Sequence, residues 1–421
     1  MTHDSLPFTR HSPVFQRRWV IFVLGLLSAL SPFSTDLYLP AFPQIAQSLQ
    51  TTTGSLSLTL SSYFLGVAFG QMFYGPLLDR FGRKKPLYIG LGLYVLASLA
   101  CIFTRTLYGL IAWRFITAVG GCVTSVVAVA IVRDLFTMRE SSKIFSQLTL
   151  VVGVSPLLAP IIGSTVAIVI GWQAVFLILI IIACGMIVAS VTVLPETHLP
   201  DKTVLLSPAP ILRSYWEVSQ NPQFYTYAFA GGVSFAGLFV YIAASPILFF
   251  NFFKLSPYYY GLVFTLLAAG FIGASQVNIL LLRRFHSIQI FKIAISAQIM
   301  CTLLLLMVAW LNWYPLSIII VLLFGMLACI GIAYPNATVL AMAPFAHKAG
   351  RASALMSLSQ SFIGALASIS VGLFSIGSMR PIALVLAASA SGAGLLFIFG
   401  KRNIITLHEG EENNESAATI H

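Results

Sequence analysis

The chain is short of charge. Asp, Glu, Lys and Arg make up 8% of its 421 residues, and 12 acids stand against 23 bases. With 58% apolar residues, that scarcity excludes an ordinary soluble globular protein. Cysteine is scarce too: Cys101, Cys122, Cys184, Cys301 and Cys329 are odd in number, scattered and set in apolar runs. No CxxC pair or Cys/His cluster occurs, so the five read as small buried hydrophobes rather than as a metal or disulfide framework. All seven histidines fall in loops or tails, which argues against a membrane metalloenzyme. No Walker-type phosphate loop is present, so ATP is not the expected energy source. Neither a metal nor a cofactor is expected. From Val218 to His408 there is no Asp or Glu at all.

Apolar runs, by contrast, are abundant. A bilayer-spanning helix needs about 20 apolar residues. Such runs fall at 19–42, 54–78, 86–104, 106–132, 144–170, 173–194, 223–250, 257–282, 290–311, 313–343, 352–377 and 381–400. Trp19, Trp172, Trp310 and Trp313 sit at or near run ends, as interfacial anchors do. The first run is too long for the core of a signal peptide and has no small-residue cleavage site, so it reads as the first membrane helix. The tightest turns are expected at Gly171–Trp172 and Leu311–Tyr314.

The net charge of +11 does not point to nucleic acid, because the bases lie in isolated loops. Nineteen of them occupy loops on the N-terminal side of the membrane, against three (Arg105, Lys254, Arg380) on the other. That bias puts both termini in the cytoplasm and reads as a multi-pass inner-membrane protein, its lipid bilayer a partner. The proline-bearing stretch 195–222, with Pro195, Pro200, Pro208, Pro210 and Pro222, reads as a cytoplasmic linker. The expected organisation is an N-terminal segment 1–18, a six-helix bundle 19–194, the linker 195–222, a second six-helix bundle 223–400 and a disordered tail 401–421. Leu77-Leu78-Asp79-Arg80-Phe81 matches Leu281-Leu282-Arg283-Arg284-Phe285 at the same place in each half, which points to duplication.

Only two ionisable side chains, Asp36 and Arg114, lie well inside the runs. A charge at the centre of a membrane helix costs about 2.5–3.5 kcal/mol on insertion scales, so such residues face a bundle interior and usually serve function. Arg114 lies nine residues beyond Arg105, about 13 Å along a helix. If the first helix runs on toward Ile45, Asp36 is at similar depth. Asp36 is the sole membrane carboxylate, since Asp79 and Asp134 belong to helix ends. The alternatives are an interfacial helix-end role for Asp36 and a helix-tying role for Arg114.

The loop Gly75-Pro76-Leu77-Leu78-Asp79-Arg80-Phe81-Gly82-Arg83-Lys84-Lys85-Pro86-Leu87 closely resembles the GxLxDRxGRKxxL signature of the major facilitator superfamily. In it Gly75 would allow close packing, Gly82 a tight turn, and Asp79 a latch with neighbouring bases such as Arg80, Arg83 and Lys84. Arg114, Thr117, Gly120 and Gly121 are similar to the RxxQxxGG stretch of twelve-helix drug:proton antiporters, with Thr117 in place of Gln. Gly153, Pro156, Pro160 and Gly163 resemble the antiporter motif, where small residues and prolines make a stiff hinge. Ser155 and Ser164 stand where glycine is commoner. With Ser34-Thr35-Asp36-Leu37-Tyr38-Leu39-Pro40, Pro195-Glu196-Thr197 and Pro335-Asn336-Ala337, the chain looks like the bicyclomycin/chloramphenicol-resistance (Bcr/CflA) subfamily from about residue 20 to 400.

The resemblance implies an all-α membrane protein: twelve transmembrane helices in two pseudo-symmetric six-helix bundles, working by alternating access about a midplane cavity. Asp36 and Arg114 are then the candidates for proton coupling, by competition among a proton, Arg114 and a substrate for the carboxylate. Tyr38, Tyr63, Gln147, Tyr241, Asn336 and Gln360 are the candidates for substrate binding, the two aromatic positions Tyr38 and Tyr241 foremost. The expected activity is export of small amphipathic compounds in exchange for protons, by a monomer. Transport of a siderophore or other metabolite keeps the fold and changes the cargo; a non-transporting receptor is a more distant alternative. An enzyme is not expected, as no paired carboxylates or His/Glu set is present.

Overall fold

The computed structural model describes residues 14–201, 215–312, 314–345, 349–374 and 378–418. Of the nineteen bases counted above, Arg10, Lys202, Arg213 and Lys348 lie outside the described residues, as do Pro208 and Pro210 of the linker and the anchor Trp313. The described residues are helix and loop, with no strand among them. Among the described residues, twelve helical spans are long and apolar enough to cross a membrane. In chain order they are Arg17–Ser48, Thr53–Phe81, Lys84–Phe103, Leu107–Leu135, Gln147–Val169, Gln173–Val193, Pro222–Phe252, Pro257–Leu281, Ser287–Trp310, Leu316–Phe345, Ala352–Leu373 and Arg380–Lys401. Each coincides, to within a few residues, with one of the twelve apolar runs. Helix is the form these runs take because hydrocarbon offers no partner to a free backbone N–H or C=O.

The chain forms two compact units. One is Met1–Leu206 with Ala243–Ala268; the other is Ser207–Ile242 with Ala269–His421. The boundary therefore differs from a clean division at the linker, since the end of the seventh span and the start of the eighth belong with the first unit. Side chains explain it. Asn251 Nδ2 donates to Thr53 Oγ1, Thr265 Oγ1 donates to the Leu157 carbonyl at 3.1 Å, and Gly261 lies against the Pro160 carbonyl. Within the second unit, Phe224, Tyr227, Phe291 and Phe397 form one apolar core with the alanines of the tenth span.

Four spans are not uniform helices, the tenth because it closes on a 3-10 turn, Ala343–Phe345. The first was expected as one run, but its α-helix stops at Asp36; a 3-10 turn, Leu39–Ala41, and a short helix, Phe42–Ser48, complete it. Pro40 has no N–H to bond the Asp36 carbonyl, and Pro43 none for Leu39, so two helical hydrogen bonds are lost where the helix breaks. The fourth span is interrupted at Cys122, between helices Leu107–Gly121 and Val123–Leu135. The seventh ends in a π-helical turn, Ile247–Phe252, directly after Pro246. The fifth, in contrast, stays helical from Met138 to Val169 through both Pro156 and Pro160.

Turns follow the local chemistry. Gly171 takes φ +116°, a conformation open to glycine, and Asn312 takes φ 52°, which asparagine tolerates. Beyond Lys401 the last helix continues to Ala418, in a stretch expected to be disordered. Its Glu and Ala residues are good helix formers.

Candidate functional site

Arg114 is completely buried in the fourth span. Its Nη1 donates to Ser34 Oγ and its Nη2 to the Ser34 carbonyl, both at 3.1 Å. The guanidinium carbon lies 4.3 Å from the Tyr63 ring centroid and 4.6 Å from that of Tyr38. Nε has no hydrogen-bond partner, and no carboxylate among the described residues is within ion-pair distance of the group. Burying a cation costs several kcal/mol even after relaxation. Two charge-assisted hydrogen bonds of about 1.5–3 kcal/mol each, and two desolvated ring contacts of about 2 kcal/mol each, offset that cost. The rings are fixed in turn. The Tyr38 hydroxyl pairs with Thr59 Oγ1 at 3.0 Å, and the Tyr63 hydroxyl donates to Ser31 Oγ at 3.2 Å. Phe42 and Phe176 pack against the Tyr38 ring.

Asp36 is 3% exposed and ends the first helix. Its Oδ1 accepts a hydrogen bond from Thr35 Oγ1 at 3.0 Å, and the same hydroxyl reaches back to the Pro32 carbonyl at 2.9 Å. Ser34 and Asp36 are two residues apart, and helix positions i and i+2 do not face the same way. Ser34 therefore meets Arg114 while Asp36 does not. The structure brings Tyr38, Tyr63 and Arg114 into one cluster; Asp36 adjoins it in sequence without an ion pair to Arg114. The carboxylate is neither exposed to bulk solvent nor placed on the lipid side.

The antiporter-type stretch borders this break. Gly163 approaches the Leu37 backbone so closely that a Cβ there would collide with the Leu37 carbonyl. Nearby, Gln44 Nε2 donates to the Ala167 carbonyl at 2.8 Å. Pro160 faces Gly261, Ser155 is buried, Ser164 donates to the Ile161 carbonyl, and Gly153 and Pro156 are half-buried. Tyr260, whose hydroxyl pairs with Ser245 Oγ at 2.9 Å, lies within electrostatic reach of Asp36. Neither Ser34 nor Tyr260 was singled out from the sequence. The partner of Arg114 depends on tertiary contact, and no spacing signal announces it.

The loop between the second and third spans is a network around Arg83. Its Nη1 donates to Asp79 Oδ1 at 2.7 Å and its Nε to Asp134 Oδ2 at 2.9 Å. Burial works against the Arg83 charge, but Asp134 and Asp79 together hold the guanidinium above its ordinary value. Glu196 accepts the backbone N–H groups of Arg83, at 2.7 Å, and Lys84, at 3.1 Å, so an anion sits at the start of the third span. Such placement satisfies free N–H groups and opposes the positive end of the helix. Lys84 Nζ donates to the Leu194 carbonyl, and Thr197 Oγ1 to Asp134. Gly82 has φ +84° and meets Glu196 and His198 where a side chain would be.

Asp79, Gly82, Arg83 and Lys84 thus come together with Asp134 and Glu196, two acids to which the sequence reading gave no part in a latch. Arg80 lies over the Phe81 ring. Gly75 is a correction: a Cβ there would meet nothing within 4 Å, so its helix face is open rather than closely packed. In the matching loop after the eighth span, Arg283 stands where Asp79 stands in the first copy. Arg283 and Arg284 are exposed, and no ion pair forms there among the described residues.

Gln147 is exposed at the start of the fifth span. In the second unit Tyr241 is buried, Asn336 Nδ2 donates to Asn278 Oδ1 at 2.7 Å, and Gln360 is buried with its Nε2 unsatisfied. Ser234 and Gln298 form a second buried polar pair at 2.6 Å. Away from the membrane part, Arg17 binds Glu140 at 2.8 Å. The Thr137 backbone N–H, then Arg17 and the Thr137 hydroxyl, hold that carboxyl below its ordinary range.

Twelve spans, a few of them broken, and a buried guanidinium with no carboxylate partner among the described residues define a class: a polytopic helical membrane transporter. The chain belongs to the Major Facilitator Superfamily, whose family model matches residues 24–368. It is 30% identical to the uncharacterized MFS-type transporter YdgK of Bacillus subtilis, over 86% of this chain and 91% of that one. To the bicyclomycin resistance protein homolog of Haemophilus influenzae it is 29% identical, over 90% and 95%. To multidrug resistance protein D of Escherichia coli it is 30% identical, over 83% and 88%. These relatives support the subfamily resemblance carried by the motifs. The solved D-xylose-proton symporter superposes with a TM-score of 0.70 at 15% identity, over 90% of this chain and 97% of that one. Nucleoside transporter NupG superposes at 0.69 and 11% identity, over 92% and 99%. At such identities the two structures speak for the fold alone.

Proposed function

We propose that this protein exports small amphipathic compounds of the multidrug type in exchange for protons. It does so by alternating access, as a monomer in the inner membrane with both termini in the cytoplasm. The nineteen-to-three distribution of bases supports the orientation. The names of the Haemophilus and Escherichia relatives support the substrate class.

One observation carries the coupling: a buried carboxylate at a helix break, two residues from the Ser34 that binds a buried guanidinium, which also lies against two tyrosine rings and has no carboxylate partner among the described residues. Asp36 is the group that takes up and gives off the proton. Arg114, without an acid partner among the described residues, is a positive charge that a substrate or the Asp36 carboxylate can meet during the cycle. Tyr38 and Tyr63 set its position and offer apolar faces to a ligand. In the second unit Tyr241, Asn336 and Gln360 are proposed as polar substrate contacts, and Gln147 as a further one in the first. The Asp79–Arg83–Asp134 group, with Gly82, Lys84 and Glu196, is proposed as a latch that one conformation closes and another opens. Gly153, Pro156, Pro160 and Gly163 are proposed as the hinge region beside Asp36.

The test is expression in cells lacking their major efflux pumps, with drug tolerance and intracellular accumulation measured at equal membrane abundance. Wild type should raise tolerance; Asp36→Asn should abolish the gain. Full tolerance from Asp36→Asn would overturn the coupling role. A change confined to iron-limited growth would replace the drug reading with siderophore transport.

A further inference from the structure

The ninth and tenth spans, Ser287–Trp310 and Leu316–Phe345, are consecutive, joined by a short turn and packed along their length. They form an antiparallel helical hairpin. Cys301 lies nine residues before Trp310, and Gly325 nine residues after Leu316, so the two stand at similar depth. The contact bears this out: a Cβ at Gly325 would come within 3.1 Å of Cys301 Sγ. The missing side chain at Gly325 leaves room for that sulfur.

Cys329 is four residues beyond Gly325, one turn along the same face of the tenth span. Helix side chains lean toward their own N-terminus. In an antiparallel pair, Cys301 therefore leans toward the level of Cys329, and Cys329 leans back toward the level of Cys301. The two thiols are within hydrogen-bonding reach of each other. Both side chains are half-buried, so a small uncharged reagent dissolved in the membrane has access to them. The other cysteines differ: Cys101 and Cys122 are buried, and Cys184 is exposed on the sixth span.

We propose that Cys301 and Cys329 are an oxidation site, a vicinal thiol pair that closes to an intrachain disulfide fastening the ninth span to the tenth. With a membrane-permeant azo oxidant such as diamide, both S–H bonds break and one S–S bond forms. The two hydrogen atoms go to the N=N bond, which is reduced to the hydrazine. Nothing else is consumed.

The test treats the intact protein in membranes with diamide, then unfolds it and alkylates the remaining thiols. Non-reducing electrophoresis and peptide mass mapping follow. The expected result is a monomeric band in which alkylatable thiols fall from five to three. The peptides holding Cys301 and Cys329 are joined and two hydrogens lighter, and the link is undone by a reductant. Cys301→Ser should leave Cys329 fully alkylated after the same treatment. Cys184→Ser removes any link between molecules through the exposed thiol and should leave the internal link intact. Recovery of both peptides separately alkylated at unchanged yield, or joined to other cysteines, would overturn the assignment.

Discussion

Gly163→Ala tests whether the fifth span holds the break at Asp36 in place. The added Cβ would collide with the Leu37 carbonyl oxygen and stand 3.0 Å from the Leu37 carbonyl carbon and 3.2 Å from its Cα. All three atoms are backbone, so no side chain can rotate away. Ordinary carbon contacts lie at about 3.5–4.0 Å, so the two segments must separate by a few tenths of an ångström or more. Overpacking of this kind costs about 1–3 kcal/mol. Gly75→Ala is the matched control, because it also replaces a helical glycine of a recognised motif yet meets open space. It should gain about 0.5–1 kcal/mol from reduced backbone freedom. The assay is denaturation of the purified variants in one detergent, with transport measured on the same preparations. Gly163→Ala should unfold earlier and transport more slowly; Gly75→Ala should unfold no earlier than wild type. A Gly163→Ala protein as stable and active as wild type would refute the claim that this contact positions the Asp36 segment.

Arg114→Lys keeps the charge but loses the planar fork that spans Ser34, and should cost about 2–3 kcal/mol in stability and most transport activity, read by denaturation midpoint and drug accumulation. Glu196→Gln preserves shape while removing the anion from the start of the third span; a loss of about 1–2 kcal/mol is expected, checked by thermal unfolding. Glu140 has its carboxyl lowered by folding, so its stabilising contribution is present above its ordinary value of 4.5 and disappears as pH falls through the lowered folded value. Stability measured against pH should show that acid-side decline in wild type and a weaker one in Glu140→Gln.

The number of spans, their positions and the motif loop are legible in the sequence because each is local: run length, charge between runs, glycine and acid spacing. The break at Asp36 has a local signal as well, since Pro40 and Pro43 each remove a helical hydrogen bond there, although Pro156 and Pro160 leave the fifth span unbroken. What is not legible depends on which distant side chain arrives. Arg114 finds Ser34 and two tyrosines rather than Asp36, a choice set by the faces of the first helix as it packs on the fourth span. The Arg83 network draws Asp134 from the end of the fourth span and Glu196 from the segment after the sixth, 51 and 113 residues away. The sequence puts Gly75 inside a packing motif, yet glycine at that position has open space beside it, so residue type alone does not reveal contact. Cys301 and Cys329 look like scattered hydrophobes until the turn between the ninth and tenth spans folds them together.

Proton release on ligand binding tests the central claim most directly. Purified wild type and Asp36→Asn are placed in weak buffer with a pH-indicator dye. A compound to which wild type confers tolerance in the efflux-deficient cells is then added. Wild type should release protons as the compound binds, and Asp36→Asn, with binding verified separately, should release none. Equal release from both proteins would contradict the assignment of the transported proton to Asp36.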